Sequence, residues 1–243
     1  MTAQVKLLIQ TEVGCRQLLK EIRFANEAFD CTNCRHAEAY ELQSRLGISE
    51  CANCGKQTSL TAGTFLHGKK LPLTKCFAVL FAFLNNNPKS ISQLAKELDM
   101  WESTVWRWGQ QIRLLLNDLF MESEDCAVDI ELLRQVLFRR SVETPAIDSE
   151  QHQSESVALV EEYSEEERLS ILKTQGFVST YHHGVSKKYA QLYAAEFRFF
   201  LRSKQQSIKA LLGLVLGAGP VSVEDVRAYS SPQFIILPIG PPP

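Results

Sequence analysis

The sequence predicts a mainly α-helical protein with one small β element near its N-terminus. Three observations predict it. Four of the seven cysteines fall as two Cys-x-x-Cys pairs between residues 31 and 54, a spacing that belongs to a short metal-clamped hairpin rather than to a helix. Residues 90–116 and 189–201 place apolar side chains at intervals of three and four, the helical period. Residues 74–86 and 207–216 are nearly continuous apolar runs that end at Asn85-Asn86-Asn87-Pro88 and at Gly217-Ala218-Gly219-Pro220, as buried helices do before a breaker.

Charge divides the chain more sharply than its net value of −2 implies. Residues 1–120 carry 14 Lys and Arg against 11 Asp and Glu; residues 121–167 carry 3 against 14; residues 168–243 carry 9 against 3. Two basic ends flank an acidic middle, and local sign decides which partners are attracted. A hydrophobic fraction of 45% permits a sizeable core. The start, MTAQVKLLIQTEVGC, lacks the pattern of a secretory signal. The longest apolar run, Ala210 to Ala218, is far short of the roughly 20 residues a membrane span needs. A cytoplasmic, reducing location is expected, where cysteines serve metals rather than a disulfide framework.

The first element to justify is the cysteine cluster. Cys31 and Cys34 are followed after 16 residues by Cys51 and Cys54, the spacing of a four-thiolate zinc site. Two cysteines flanking a tight turn aim both sulfurs at one ion, and a second such knuckle completes a tetrahedron. Gly55 suits the turn of the second knuckle, and Gly47 a hairpin between the two. A redox dithiol would sit at a helix start in a βαβ context, which is absent. Catalytic zinc needs an open position that four thiolates do not leave. The expectation is one structural Zn2+ in a ribbon too small to fold on its own core. Cys15, Cys76 and Cys126 are isolated and read as small buried apolar side chains.

Next, TKCFAVLFAFLNN (74–86) reads as a buried helix with Thr74 as its N-cap. Ser90 caps a second helix with Ile91, Leu94, Ala95 and Leu98 on one face. Asp99 to Glu102 form a turn, and a further helix starts near Ser103 with Val105, Trp108, Ile112 and Leu115 inward. Helix, short turn, helix fits both a helix-turn-helix DNA reader and a plain packing hairpin. Residues 51–116 carry 8 Lys and Arg against 3 acids, which favours the reader. Lys69, Lys70 and Lys75, beside His67, are candidates for phosphate contact. Glu102, Ser103, Trp106, Arg107, Gln110 and Arg113 are candidates on the second helix: Arg107 for guanine, Gln110 for adenine, Glu102 for the cytosine amino group. Packing is the competing role for Trp101 and Trp106. Downstream, Tyr189, Leu192, Tyr193, Phe197, Phe200 and Leu201 form an apolar helical stripe. His182 and His183 have no acid or cysteine close in sequence and read as hydrogen-bonding or solvent-facing groups.

Several stretches resemble a known family. TEVGCRQLLKEIRF, CTNC, CANCGKQTSLTAGTFLHGKKLPLTK and ISQLAKELDMWESTVWRW, between Thr11 and Arg113, are similar to the N-terminal part of bacterial insertion-sequence transposases with a zinc ribbon ahead of an acidic-triad (DDE) nuclease. FVSTYHHGVSKKYAQLYAAEFRFFLRSK (177–204) resembles that family's closing segment. The resemblance implies binding to double-stranded DNA. It also implies a catalytic core between the two matches, with three metal-binding carboxylates. Only about 60 residues lie there. Asp129 in CAVDI resembles the family's first catalytic aspartate, but the rest of the core is not legible: DIELLRQVLFRR reads as helix, SVETPAIDSEQHQSES as an acidic linker, and Glu161 to Glu167 as a solvated helix start.

The expected organisation is therefore an N-terminal helix plus zinc ribbon (1–70), a helix-turn-helix (71–120), an acidic helical or linker region (121–176) and a helical C-terminal region with a Pro-rich tail (177–243). The expected function is sequence-specific DNA binding by a transposase-derived, non-catalytic transcriptional regulator on the bacterial nucleoid. Two alternatives stand beside it: an active or accessory transposase, and a zinc-ribbon module that binds proteins. A homodimer spanning two half-sites is expected, with no membrane partner. A protein partner for the acidic middle is a further expectation. PQFIILPIGPPP reads as an extended tail docking on its own domain or on a second subunit.

Overall fold

The computed structural model describes residues 3–24, 29–85, 88–120, 122–131, 133, 163–182 and 185–239. The expected linker at 141–156 and most of the helix expected over 129–140 lie outside them. In chain order the elements are α1 (Ala3–Leu8), α2 (Glu12–Arg23), β1 (Ala39–Glu41), β2 (Ile48–Cys51), β3 (Gln57–Ser59), α3 (Leu73–Leu84), α4 (Ile91–Leu98), α5 (Glu102–Leu116) and β4 (Cys126–Asp129). Then follow α6 (Glu165–His182), a 3-10 turn (Lys187–Tyr189), α7 (Ala190–Arg202), α8 (Ile208–Gly217), α9 (Val223–Ala228) and β5 (Phe234–Leu237). Among the described residues the fold is mainly α with two small antiparallel sheets. No helix among the described residues is long and apolar enough to cross a membrane.

Two compact units share the chain, one from residues 1–87 and 206–221, the other from 88–205 and 222–243. In the first, Thr11 caps α2 by accepting from the Gly14 N–H at 3.0 Å. A side chain at Gly14 would place its Cβ 2.0 Å from the Leu8 carbonyl oxygen, so only glycine lets α1 lie this close. α3 is apolar nearly all round and packs on α2 and α8, burying Cys76, Phe77, Leu80 and Leu84. Its cap differs from the expectation. The helix begins two residues earlier, after Pro72, and Thr74 is inside it. The Thr74 N–H and hydroxyl both donate to the Glu12 carboxylate, at 2.9 and 3.1 Å. A carboxylate from α2 thus satisfies one orphan donor at the N-terminus of α3 and complements its dipole. Replacing Glu12 with Ala is expected to lower stability by about 1–2 kcal/mol, read as a lower urea midpoint; an unchanged midpoint would show that water caps α3 as well.

In the second unit, Ser90 and Gln93 close a reciprocal capping box at the start of α4. α4 ends at Asp99, whose φ of 50° is left-handed. Aspartate tolerates that region better than most residues, so it stands where a glycine would be usual. α5 packs on α4 and on α7. β4 pairs antiparallel with β5, Val128 opposite Ile235 and Cys126 opposite Leu237. All four side chains enter a core with Phe177 and Phe197. The C-terminal tail therefore docks as a strand on its own unit. The Gln191 side chain accepts the Ile236 N–H at 2.8 Å, so this outward donor is satisfied too.

Candidate metal centre and nucleic-acid interface

The ribbon is a three-stranded antiparallel sheet in the order β1-β2-β3. Its two knuckles share one backbone plan. The Arg35 N–H donates to the Cys31 carbonyl at 2.8 Å, and the Gly55 N–H to the Cys51 carbonyl at 3.0 Å. The residue after each knuckle's second cysteine has positive φ, 59° at Arg35 and 68° at Gly55. Backbone N–H groups of Asn33 and Cys34 point at the Cys31 sulfur, and those of Asn53 and Cys54 at the Cys51 sulfur.

The four sulfurs lie within 4.8 Å of one another. Cys31 and Cys54 are 3.6 Å apart, as are Cys34 and Cys51, each pair spanning the two knuckles. Zn–S bonds of about 2.3 Å in a tetrahedron put sulfurs about 3.8 Å apart, so the donor set fits one zinc ion. The thiols differ before metal binds. N–H groups of Cys34 and Asn33 pull Cys31 down. The Asn33 side chain and the Lys56 N–H pull Cys54 down to about 6. Burial pushes Cys51 up to about 11. Zinc would have to displace a proton from Cys51, while Cys54 gives up its proton more readily.

The expected DNA contacts fall into three groups. Lys70 is exposed. Lys69 is half-buried; its ammonium donates to the Val221 carbonyl at 2.9 Å and lies 5.0 Å from the Phe65 ring centroid, a tether within the first unit. Lys75 is half-buried on α3. In the second unit Glu102, Ser103 and Arg107 are exposed at the N-terminal half of α5. Trp106 is 37% exposed, with one edge on Tyr189.

Gln110 and Arg113 require a correction. Both are buried. The Gln110 amide donates to the Tyr193 hydroxyl at 3.1 Å. The Arg113 Nε donates to the Glu196 carboxylate at 2.6 Å, with the guanidinium 4.2 Å from the Tyr193 ring centroid. The face of α5 expected to meet bases is, over its C-terminal half, the surface that packs on α7. The stripe Tyr193-Glu196-Phe197 supplies the other side. His182 joins the same cluster, its side chain buried and its Nε2 3.2 Å from the Glu196 carboxylate.

Two cations escaped the sequence reading. Lys56, just after the second knuckle, and Arg45, in the β1–β2 hairpin, are both exposed, and Arg45 donates to the Gln57 side chain at 3.3 Å. The place of Lys56 two residues after Cys54 was the available signal. Asp129, at the end of β4, accepts the Glu131 N–H at 2.6 Å and so caps the residues that follow.

Residues 10–57 match the family described as the transposase zinc-ribbon domain. The matched stretch runs from the residue before the α2 cap through both knuckles to the start of β3, well under half of the chain. No curated protein and no solved structure matches the chain.

Proposed function

We propose that this protein, which carries a transposase zinc-ribbon domain at residues 10–57, is a transposase-derived DNA-binding protein that grips duplex DNA through its ribbon unit and regulates transcription without cutting. The observation that carries the reading is the joint placement of ribbon and charge. The unit holding the ribbon has 11 Lys and Arg against 7 Asp and Glu, whereas the other has 15 against 21. Phosphate contacts supply most of non-specific affinity, so the net positive unit is the one that duplex DNA attracts. Arg45, Lys56 and Lys70 are its exposed cations of interest.

The α4–α5 pair adds sequence preference in this reading through Ser103 and Arg107 at the N-terminal half of α5, the part of a recognition helix that contacts base edges. The absence of cleavage is inferred from the roughly 60 residues between the two transposase-like stretches. Asp129 at the end of a strand favours a second reading, an active or accessory transposase. Magnesium- or manganese-dependent nicking of DNA that disappears in Asp129→Ala would establish that second reading against the first. Genome-wide footprinting separates them in the cell: sharp promoter peaks sharing a motif support regulation, and peaks confined to repeat ends support transposition.

The phosphate role has its own test. Replacing Lys70 with Ala should weaken binding to all duplexes alike and reduce the slope of log affinity against log salt by about 1, measured by fluorescence anisotropy. Lys70 is the cleaner choice because Lys69 also tethers Val221. An unchanged slope would remove Lys70 from the interface.

A further inference from the structure

We propose that the N-terminal end of α5 holds unpaired DNA bases by stacking them on Trp101 and Trp106. The inference rests on the nucleic-acid reading above but concerns a different state of DNA. All three tryptophans lie between residues 101 and 108. Trp108 is buried; Trp101 is 83% exposed and Trp106 37% exposed. Slack backbone is not the cause. The Trp101 carbonyl accepts the Thr104 and Val105 N–H groups at 2.9 and 3.1 Å, and the Met100 N–H donates to the Ala95 carbonyl at 3.0 Å. A pinned turn holds an indole in water, where it gains free energy only when something covers it.

Neighbouring groups indicate what covers it. Trp106 meets Tyr189 edge-on, centroids 5.8 Å apart. The Lys188 ammonium lies 5.3 Å from the Tyr189 centroid. Arg107 is exposed beside Trp106, and Ser103 is one turn earlier. Aromatic faces interleaved with cations form a platform for bases. The charge balance selects unpaired bases over a duplex. On α4, α5 and the residues flanking them (89–118), Lys89, Lys96, Arg107 and Arg113 are matched by Glu97, Asp99, Glu102 and Asp118, and Lys89 is paired with Glu97. Such a surface neutralises few phosphates, so its affinity must come from stacking.

Intrinsic fluorescence of the full-length, zinc-loaded protein reads the site directly. Titration with oligo(dT) of about 15 nucleotides should quench the emission more strongly than a duplex of equal length does. Trp101→Ala and Trp106→Leu should each weaken oligo(dT) binding about tenfold, within the range for loss of one stacked base. Trp101→Ala removes a side chain outside the core, so it decides the matter even where Trp106→Leu disturbs the Tyr189 contact. Absence of quenching by oligo(dT), or oligo(dT) affinity of Trp101→Ala equal to that of the parent, overturns the inference. So does quenching by duplex or by a protein partner alone. Oligo(rU) bound tenfold tighter than oligo(dT) overturns the assignment to DNA. Duplex binding without oligo(dT) binding leaves the proposed function standing and removes this site; the reverse result keeps the site and removes the duplex reading.

Discussion

Replacing Cys51 with Ser is expected to abolish zinc binding, unfold the three-stranded ribbon and remove most duplex affinity. Cys51 is buried at the end of β2, and its sulfur lies 3.6 Å from that of Cys34. A hydroxyl there cannot supply the fourth thiolate. The sheet has strands of only three and four residues and buries too little to fold alone. Structural zinc in such modules contributes about 10–16 kcal/mol of folding free energy near neutral pH, as much as the whole net stability of a typical domain. Elemental analysis should give one zinc per chain for the parent and none for Cys51→Ser. Amide dispersion from residues 39–59 should collapse in the variant, and in the parent on chelation. Acid should act likewise: a metal that requires four thiolates competes with protons, so zinc is expected to leave as pH falls. One bound zinc in Cys51→Ser, or unaltered shape and DNA affinity after chelation, would contradict the role assigned to the ion.

Arg113→Ala is the second large effect, expected to cost about 3–5 kcal/mol. It removes the main partner of a buried carboxylate. Burial pushes the Glu196 acid up, but Arg113 and then His182 outweigh it and hold it down at about 2, against an ordinary value of 4.5. Without Arg113, that charge stays buried with His182 as its remaining ionic partner. A depressed carboxylate stabilises the native state fully above its unfolded value and ceases to do so as pH falls through its folded value. The parent should therefore lose this contribution between about pH 4.5 and 2, and Arg113→Ala should lack that leg of the pH profile. Urea midpoints at pH 7 and pH 3 measure both statements. The double change Arg113→Met with Glu196→Leu should recover most of the loss, because apolar packing replaces a buried ion pair at little cost. If Arg113 instead reached bases, its removal would lower DNA affinity and leave the urea midpoint where it was.

These residues also mark how far the chain can be read without coordinates. The metal site was fully legible: four cysteines at a fixed spacing carry their own geometry, since each knuckle is a local turn and the ion joins the two. The helices were legible where one face is apolar, as in α4, α5 and α7, and where the run is apolar throughout, as in α3. The β4–β5 sheet was not. CAVD and FIIL are four residues each, too short for alternation to announce a strand, and they pair across more than a hundred residues. The cap of α3 was misassigned because the group that accepts its free N–H, the Glu12 carboxylate, is 62 residues away from Thr74.

What the amino-acid sequence determined by itself is local: the zinc ligands, the helical segments, the Ser90 cap and the turn at Asp99. Each depends on neighbours within a few residues, so spacing and side-chain type suffice. The tertiary structure alone decided which polar side chains remain available. Gln110, Arg113, Trp106 and Arg107 share the outward sector of α5 in any helical projection, yet α7 covers the first two and leaves the others at the surface. A helix defines its own faces, but only the element packed against it determines which of them meets water, because burial is a property of pairs of surfaces and not of one.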